Sequence, residues 1–210
     1  PFEPSRYVNL EKLGLVGASK DVKVEVLKNL QPWIEYSKKR KRKKEEGNLY
    51  MIIPDDGAES RVEHFGINCG LSFDEIGYIL KLPRSGVEET DIAGFKSFCR
   101  ERMLKILRES GKEDVFVIID DMVSGGGTSD DVAMFLKNCG AQNVELWCTH
   151  PVCPDPTKPD KLEYLDAIVA LDTVYQPTIK KIKETIPASA PLLAGQIFKS
   201  YMRYAGNNAV

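Results

Sequence analysis

Val115-Phe116-Val117-Ile118-Ile119-Asp120-Asp121-Met122-Val123-Ser124-Gly125-Gly126-Gly127-Thr128 is the stretch on which the fold turns. Its first five residues are apolar and mostly β-branched, so neither face of the segment can meet water; such a strand belongs at the centre of a parallel sheet covered on both sides. Helical periodicity resumes from Val132 to Asn138 and stops at Gly140. Strand, acidic pair, glycine-rich turn and helix follow one another without a break.

That order has a chemical meaning. Consecutive glycines let the backbone curl until its N–H groups converge, Ser124 and Thr128 add hydroxyl donors, and a helix N-terminus adds partial positive charge, so an anion belongs there. Asp120 and Asp121 are adjacent carboxylates that raise one another's pKa unless a metal or vicinal sugar hydroxyls relieve them. The ligand implied is a sugar phosphate, held where open α/β sheets bind ligands, at the carboxyl ends of the strands. The plainer alternative is a helix-capping turn with two solvated acids.

Outward from this stretch, apolar runs of strand length alternate with helical patterns, the mark of βαβ units. Leu49 to Pro54, Val144 to Thr149 and Ala167 to Leu171 read as strands, with a further apolar piece at Glu75 to Leu80. Ala58 to Cys69, Ile92 to Ser110, Pro177 to Glu184 and Ala194 to Tyr204 read as helices; Leu82 to Thr90 and the Pro-rich Pro151 to Pro159 read as loops, the first mobile. The fold class is therefore α/β, a mainly parallel twisted sheet flanked by helices. Residues 49–210 form the catalytic domain in this reading, and residues 1–48 an N-terminal helical hood or oligomerisation segment.

Composition narrows the function classes. The 210 residues are 42% apolar and 29% charged with a net charge of −2, which excludes disordered, collagen-like and disulfide-scaffold chains and gives no global pull toward nucleic acid. The basic run Lys38 to Lys44 reads as a solvated helix end or loop. No stretch has the roughly 18 apolar residues of a membrane span, the N-terminus lacks a signal layout, and five scattered cysteines read as reduced thiols; a cytoplasmic protein is expected. Pro1 is compatible with a start after removal of an initiator Met.

Asp120 to Thr128 resembles the ribose-5-phosphate loop of the type I phosphoribosyltransferases and the related phosphoribosyl pyrophosphate synthetases. Two further stretches resemble the synthetases: Pro54-Asp55-Asp56-Gly57-Ala58-Glu59-Ser60-Arg61, like their pyrophosphate loop, and Thr149-His150-Pro151, like a Thr-His-Gly after a later strand. The resemblance covers roughly Leu49 to Tyr204. It implies that Asp120 and Asp121 hold the ribose diol, that Ser124, Gly125, Gly126, Gly127 and Thr128 hold the 5-phosphate, and that Asp55, Asp56, Gly57 and Ala58 hold pyrophosphate, with Asp55 toward Mg²⁺. Lys81 and Arg84 are implied as flexible-loop cations for the leaving pyrophosphate, and with Asp120 and Asp121 they make up the catalytic set.

Phosphoribosyl transfer from phosphoribosyl pyrophosphate to a nitrogenous base is the activity expected, in a homo-oligomer. The alternatives are a ribose-phosphate diphosphokinase using ribose 5-phosphate and ATP, and a non-catalytic sensor of phosphoribosyl pyrophosphate. Synthetases resemble two tandem copies of this fold, whereas only about 48 residues precede the first strand here, which favours the transferase. Departures from the family pattern are Gly125 in place of Thr, Asp130 and Asp131 in the first helical turn where they would repel phosphate, Ala58 and Ser60 in place of Gly and Lys, the spacing Lys81-Leu82-Pro83-Arg84, and an inserted helix at Ile92 to Ser110.

Three other features stand apart. Cys148, His150 and Cys153 have zinc-type side chains at loose spacing, but Cys148 reads as a core residue and His150 as a ligand contact. His64 reads as helix surface. Phe2, Trp33 and Tyr36 read as packing or subunit contacts.

Overall fold

The computed structural model describes residues 5–8, 22–25, 30–41, 47–83, 90–191, 193–195, 197–198 and 202. They fall into two compact units. Residues 1–29 and 190–210 make one, in which β1 (Ser5–Val8) pairs antiparallel with β2 (Val22–Glu25) and the described C-terminal residues are helical. The unit from Leu30 to Ser189 carries every candidate site residue.

Its sheet has seven strands in the order β5-β4-β3-β6-β7-β8-β9, built from β3 (Leu49–Ile53), β4 (Ile76–Pro83), β5 (Thr90–Phe95), β6 (Val115–Val123), β7 (Val144–Pro151), β8 (Ala167–Leu171) and β9 (Ile182–Ile186). All neighbours are parallel except β4 and β5. β6 is central, as its apolar run predicts, and Val115 to Ile118 are at most 3% exposed. From β3 the chain steps one way to β4, and from β6 the other way to β7. The switch point of this open sheet therefore lies between β3 and β6, and the crevice beyond their carboxyl ends is where such sheets take ligands.

Helices cover both faces. α1 (Leu30–Lys41) and α2 (Glu59–Asn68) share one face, joined by an edge-on contact of Trp33 with Phe65. Trp33 stacks on Trp147 of β7 at 5.3 Å, and Tyr36 meets the same ring edge-on at 5.0 Å, so these aromatics are core packing. Arg40, from the basic run, is drawn down onto buried Glu145, which also accepts the indole N–H of Trp147. α3 (Ser97–Glu109) and α4 (Gly127–Asn138) lie on the other face, buried through Cys99, Met103 and Leu107 and through Val132, Ala133 and Leu136. Gly140 ends α4 at φ 117, where a Cβ would stand 2.8 Å from the carbonyl of Leu107.

Four readings need correction. Ile92 to Phe95 is not the start of a helix but the end of β5, and α3 begins only at Ser97. The presumed loop from Leu82 is strand as far as Pro83, and Thr90 is already β5, leaving 84–89 outside the described residues. Pro177 to Glu184 is not a helix; Ile182 to Ile186 pairs with β8 as the last strand. The acidic pair does not follow β6 but lies inside it, since pairing with β7 continues through Val123 and Pro151. Among the described residues no helix is long and apolar enough to cross a membrane.

Candidate functional site

Two loops leave neighbouring strands at the switch point. Ile52 of β3 pairs with Ile118 of β6, and adjacent strands lie about 4.8 Å apart, so the residues after Ile53 and the acids after Ile119 emerge side by side.

The β6 loop is open. Asp120 is half-buried, accepts the N–H of Asp121 at 2.8 Å, and has its carboxyl pushed up to about 6, first by burial and then by the Asp121 carboxyl beside it. A cation or a pair of hydroxyls bound there favours the ionised form, which is the chemistry a sugar diol or Mg²⁺ supplies. Gly126 is the N-cap of α4 at φ 81, the only left-handed glycine of the three, and this residue turns the chain from strand to helix. A Cβ at Gly126 would also come within 2.6 Å of the Leu162 side chain. The N–H groups of Gly125, Gly126, Gly127 and Thr128 make no hydrogen bond among the described residues, and Ser124 and Thr128 are exposed beside them.

Asp130, in the first turn of α4, has a structural partner. Its carboxylate accepts the backbone N–H groups of Glu163, Tyr164 and Leu165 at 3.0, 2.9 and 3.0 Å and so anchors the segment after β7.

The β3 loop is closed on itself. Asp55 caps a 3-10 turn, its Oδ1 accepting the N–H of Ala58 at 2.9 Å, and the other carboxylate oxygen has no hydrogen bond among the described residues. Asp56 and Glu59 both bind the ammonium of Lys96 at 2.7 Å, which holds that lysine above its usual range, Asp56 contributing most. Lys96 reaches the loop because its own N–H pairs with Tyr78, in register with Ile53. As a Mg²⁺ site the loop offers one oxygen of Asp55, which fits a cation that keeps waters and takes its remaining ligands from phosphate. No group of three or more metal-binding side chains occurs among the described residues.

Lys81 lies on β4 opposite Ile92, half-exposed and next to an irregularity of pairing at Leu80, so it is a strand residue at its described position. Arg84 lies outside the described residues. His150 pairs in register with Met122 at the end of β7, beside the acids. Its Nδ1 meets the hydroxyl of Thr173 at 2.9 Å, and that hydroxyl donates to the Thr149 carbonyl at 2.6 Å. Thr173 therefore accepts from Nδ1–H of the exposed His150. Cys148 is fully buried with its thiol pushed far up by burial, and Cys153 Sγ donates to the Val123 carbonyl at 3.5 Å, as expected of core thiols. Two cations near the loops, Lys96 and Lys158, were missed; each is far in sequence from what it approaches.

No family model matches the chain. A ribose-phosphate pyrophosphokinase of Methanosarcina acetivorans is 28% identical over 147 residues, 70% of this chain and 44% of that protein. Its counterpart in Corynebacterium glutamicum is 37% identical over 83 residues, 39% of this chain and 25% of that protein. A crystal structure of phosphoribosylpyrophosphate synthetase from Mycobacterium smegmatis superposes with a TM-score of 0.56 at 19% identity, covering 80% of this chain and 50% of the other. The chain thus spans half or less of the relatives it matches. By sequence it is related to the ribose-phosphate pyrophosphokinases, and it has the fold of about half of such a synthetase chain.

Proposed function

We propose that this chain is a Mg²⁺-dependent transferase that binds the phosphorylated ribose of ribose 5-phosphate or phosphoribosyl pyrophosphate and acts at ribose C1. The observation that carries the reading is the open turn after β6, where unbonded N–H groups at a helix start follow closely on Asp120 and Asp121 at the end of the strand. Ser124 to Thr128 take the 5-phosphate, Asp120 and Asp121 the ribose hydroxyls, and Asp55 to Ala58 the pyrophosphate moiety. When bound, Mg²⁺ neutralises charge on the pyrophosphate. Ala58 must then exchange its Asp55 partner for a phosphate oxygen, and Lys81 and Arg84 supply positive charge to the leaving pyrophosphate. Little covalent work falls to the protein; positioning and charge stabilisation carry the reaction.

Two directions share this site. The sequence relatives favour the diphosphokinase direction, in which the C1 oxygen of ribose 5-phosphate attacks ATP and AMP departs. In the transfer direction a base nitrogen attacks C1 and pyrophosphate departs, and the loops assigned above to ribose, phosphate and pyrophosphate lie in the Leu30–Ser189 unit. Tyr175, 86% exposed after β8, offers a ring to either adenine or an acceptor base. A cytoplasmic setting accords with the free cysteines. The test is a pair of assays with Mg²⁺: AMP formation from ribose 5-phosphate and ATP, and pyrophosphate release from phosphoribosyl pyrophosphate with pooled nucleobases. AMP supports the diphosphokinase and base-dependent pyrophosphate the transferase. Binding without either product supports a sensor, and no binding of any of these ligands overturns the reading.

A further inference from the structure

The segment after β7 is tied down over the glycine turn from several sides. Asp130 grips it through the N–H groups of Glu163, Tyr164 and Leu165. Asp155 accepts from the N–H and hydroxyl of Thr157 at 3.0 and 2.7 Å, and Asp160 accepts the N–H of Lys181 at 2.8 Å. Leu162 presses against Gly126, near enough that a Cβ there would stand 2.6 Å from it. Short helix α5 (Thr157–Asp160) is thereby fixed beside the turn, and it carries Lys158.

The stem of Lys158 lies along the turn: its Cδ is 3.6 Å from where a Cβ on Gly125 would be, with the ammonium two bonds further on. The side chain is exposed and makes no hydrogen bond or ion pair among the described residues. Asp155 is within electrostatic range, but its carboxylate is already committed to Thr157. A lysine set against the start of a helix has the wrong sign for that end of the dipole, and the N–H groups of the turn add to the repulsion. An anion between them converts the conflict into attraction. Gly125 brings no side-chain donor to the turn, and the stem of Lys158 approaches at that same residue, its ammonium two bonds beyond.

We propose that Lys158 is a binding residue for the 5-phosphate, a charged donor brought to the glycine turn by a different loop. The inference rests on reading the turn as a ribose 5-phosphate site. It also gives the three bonds of Asp130 a purpose, since they hold the segment that presents the lysine.

The test is calorimetric titration of ribose 5-phosphate into wild type, Lys158→Ala, Lys158→Arg and the double variant Asp120→Asn with Asp121→Asn, at low and high salt. Lys158→Ala is expected to weaken binding about tenfold at low salt, as loss of a charged hydrogen bond does, and to flatten the salt dependence. Lys158→Arg is expected to stay within about threefold of wild type. An exposed lysine is not needed for folding, and an unchanged melting temperature checks this. Wild-type affinity and salt dependence in Lys158→Ala, with binding abolished in the double variant, would overturn the role of Lys158 and leave the site standing. Failure of wild type to bind ribose 5-phosphate would overturn the site reading and the lysine with it.

Discussion

The turns that follow β6 and β3 leave adjacent strands at the same edge, each close to a pair of acids and each rich in small residues, yet one is open and the other shut. After β6 the left-handed Gly126 makes the turn, so no side chain is needed to cap the helix and its N–H groups face outward. After β3 the turn is held by Asp55, whose carboxylate takes the N–H of Ala58, and Lys96 neutralises Asp56 and Glu59. A backbone-made turn leaves its donors for a ligand, whereas a side-chain-made turn uses them. On the proposed reading the β6 turn can take an anion as it stands, whereas the β3 loop must first give up its own hydrogen bond.

The most severe way to break the comparison is at the acids. Asp120→Asn with Asp121→Asn is expected to weaken ribose 5-phosphate binding at least 100-fold by calorimetry, since two carboxylates matched to a diol are lost together. Binding within threefold of wild type would move the ligand elsewhere.

Next comes the turn itself. Gly126→Ala meets both an unfavourable φ and the Leu162 side chain, and is expected to cost about 1–3 kcal/mol in denaturant unfolding. Gly127→Ala, with open space around its Cβ, is expected to be neutral or slightly stabilising. Equal losses at both would remove Gly126 as the residue that makes the turn.

Lys96→Met sharpens the contrast from the other side. It leaves Asp56 and Glu59 without their shared cation and should lower stability by about 1 kcal/mol, partly restored by Mg²⁺. If Mg²⁺ raises the melting temperature of wild type and variant equally, Lys96 is not what neutralises the loop.

The smallest effect concerns pH. Asp120 has a folded pKa raised above its unfolded value, so its protonated form is favoured in the native state. The stability this contributes is present below the unfolded pKa of about 4 and declines as pH rises through about 6. Asp120→Asn should flatten that decline and leave the protein more stable at pH 7 by about 1 kcal/mol, discounted because the group is part-exposed. A wild-type profile flat between pH 4 and 7 would contradict the environment assigned to Asp120.

Local chemistry is what the sequence conveys well. Val115 to Ile119 is apolar on both faces because it is central, and it is the central strand of the structure, although that strand runs on through the acids to Val123. Thr90 to Phe95 misled because Ile92 and Phe95 fall in phase with Phe98, Cys99 and Met103 of α3, while pairing with β4 was invisible locally. Pro177 suggested a helix start, but Ile182 to Ile186 is recruited as a strand by β8. Acids and glycines of the β6 loop were legible as a motif; that Asp130 is consumed by residues 163–165, that Lys96 shuts the β3 loop and that Lys158 overhangs Gly125 all depend on contacts between distant segments.

The most direct test of the open turn is amide chemical shifts of ¹⁵N-labelled protein during titration with ribose 5-phosphate. The account predicts the largest changes at the N–H groups of Gly125, Gly126, Gly127 and Thr128, with Ala58 nearly unmoved until pyrophosphate and Mg²⁺ are added. Shifts centred on Ala58, or spread over the surface without a maximum at the glycine turn, would contradict it.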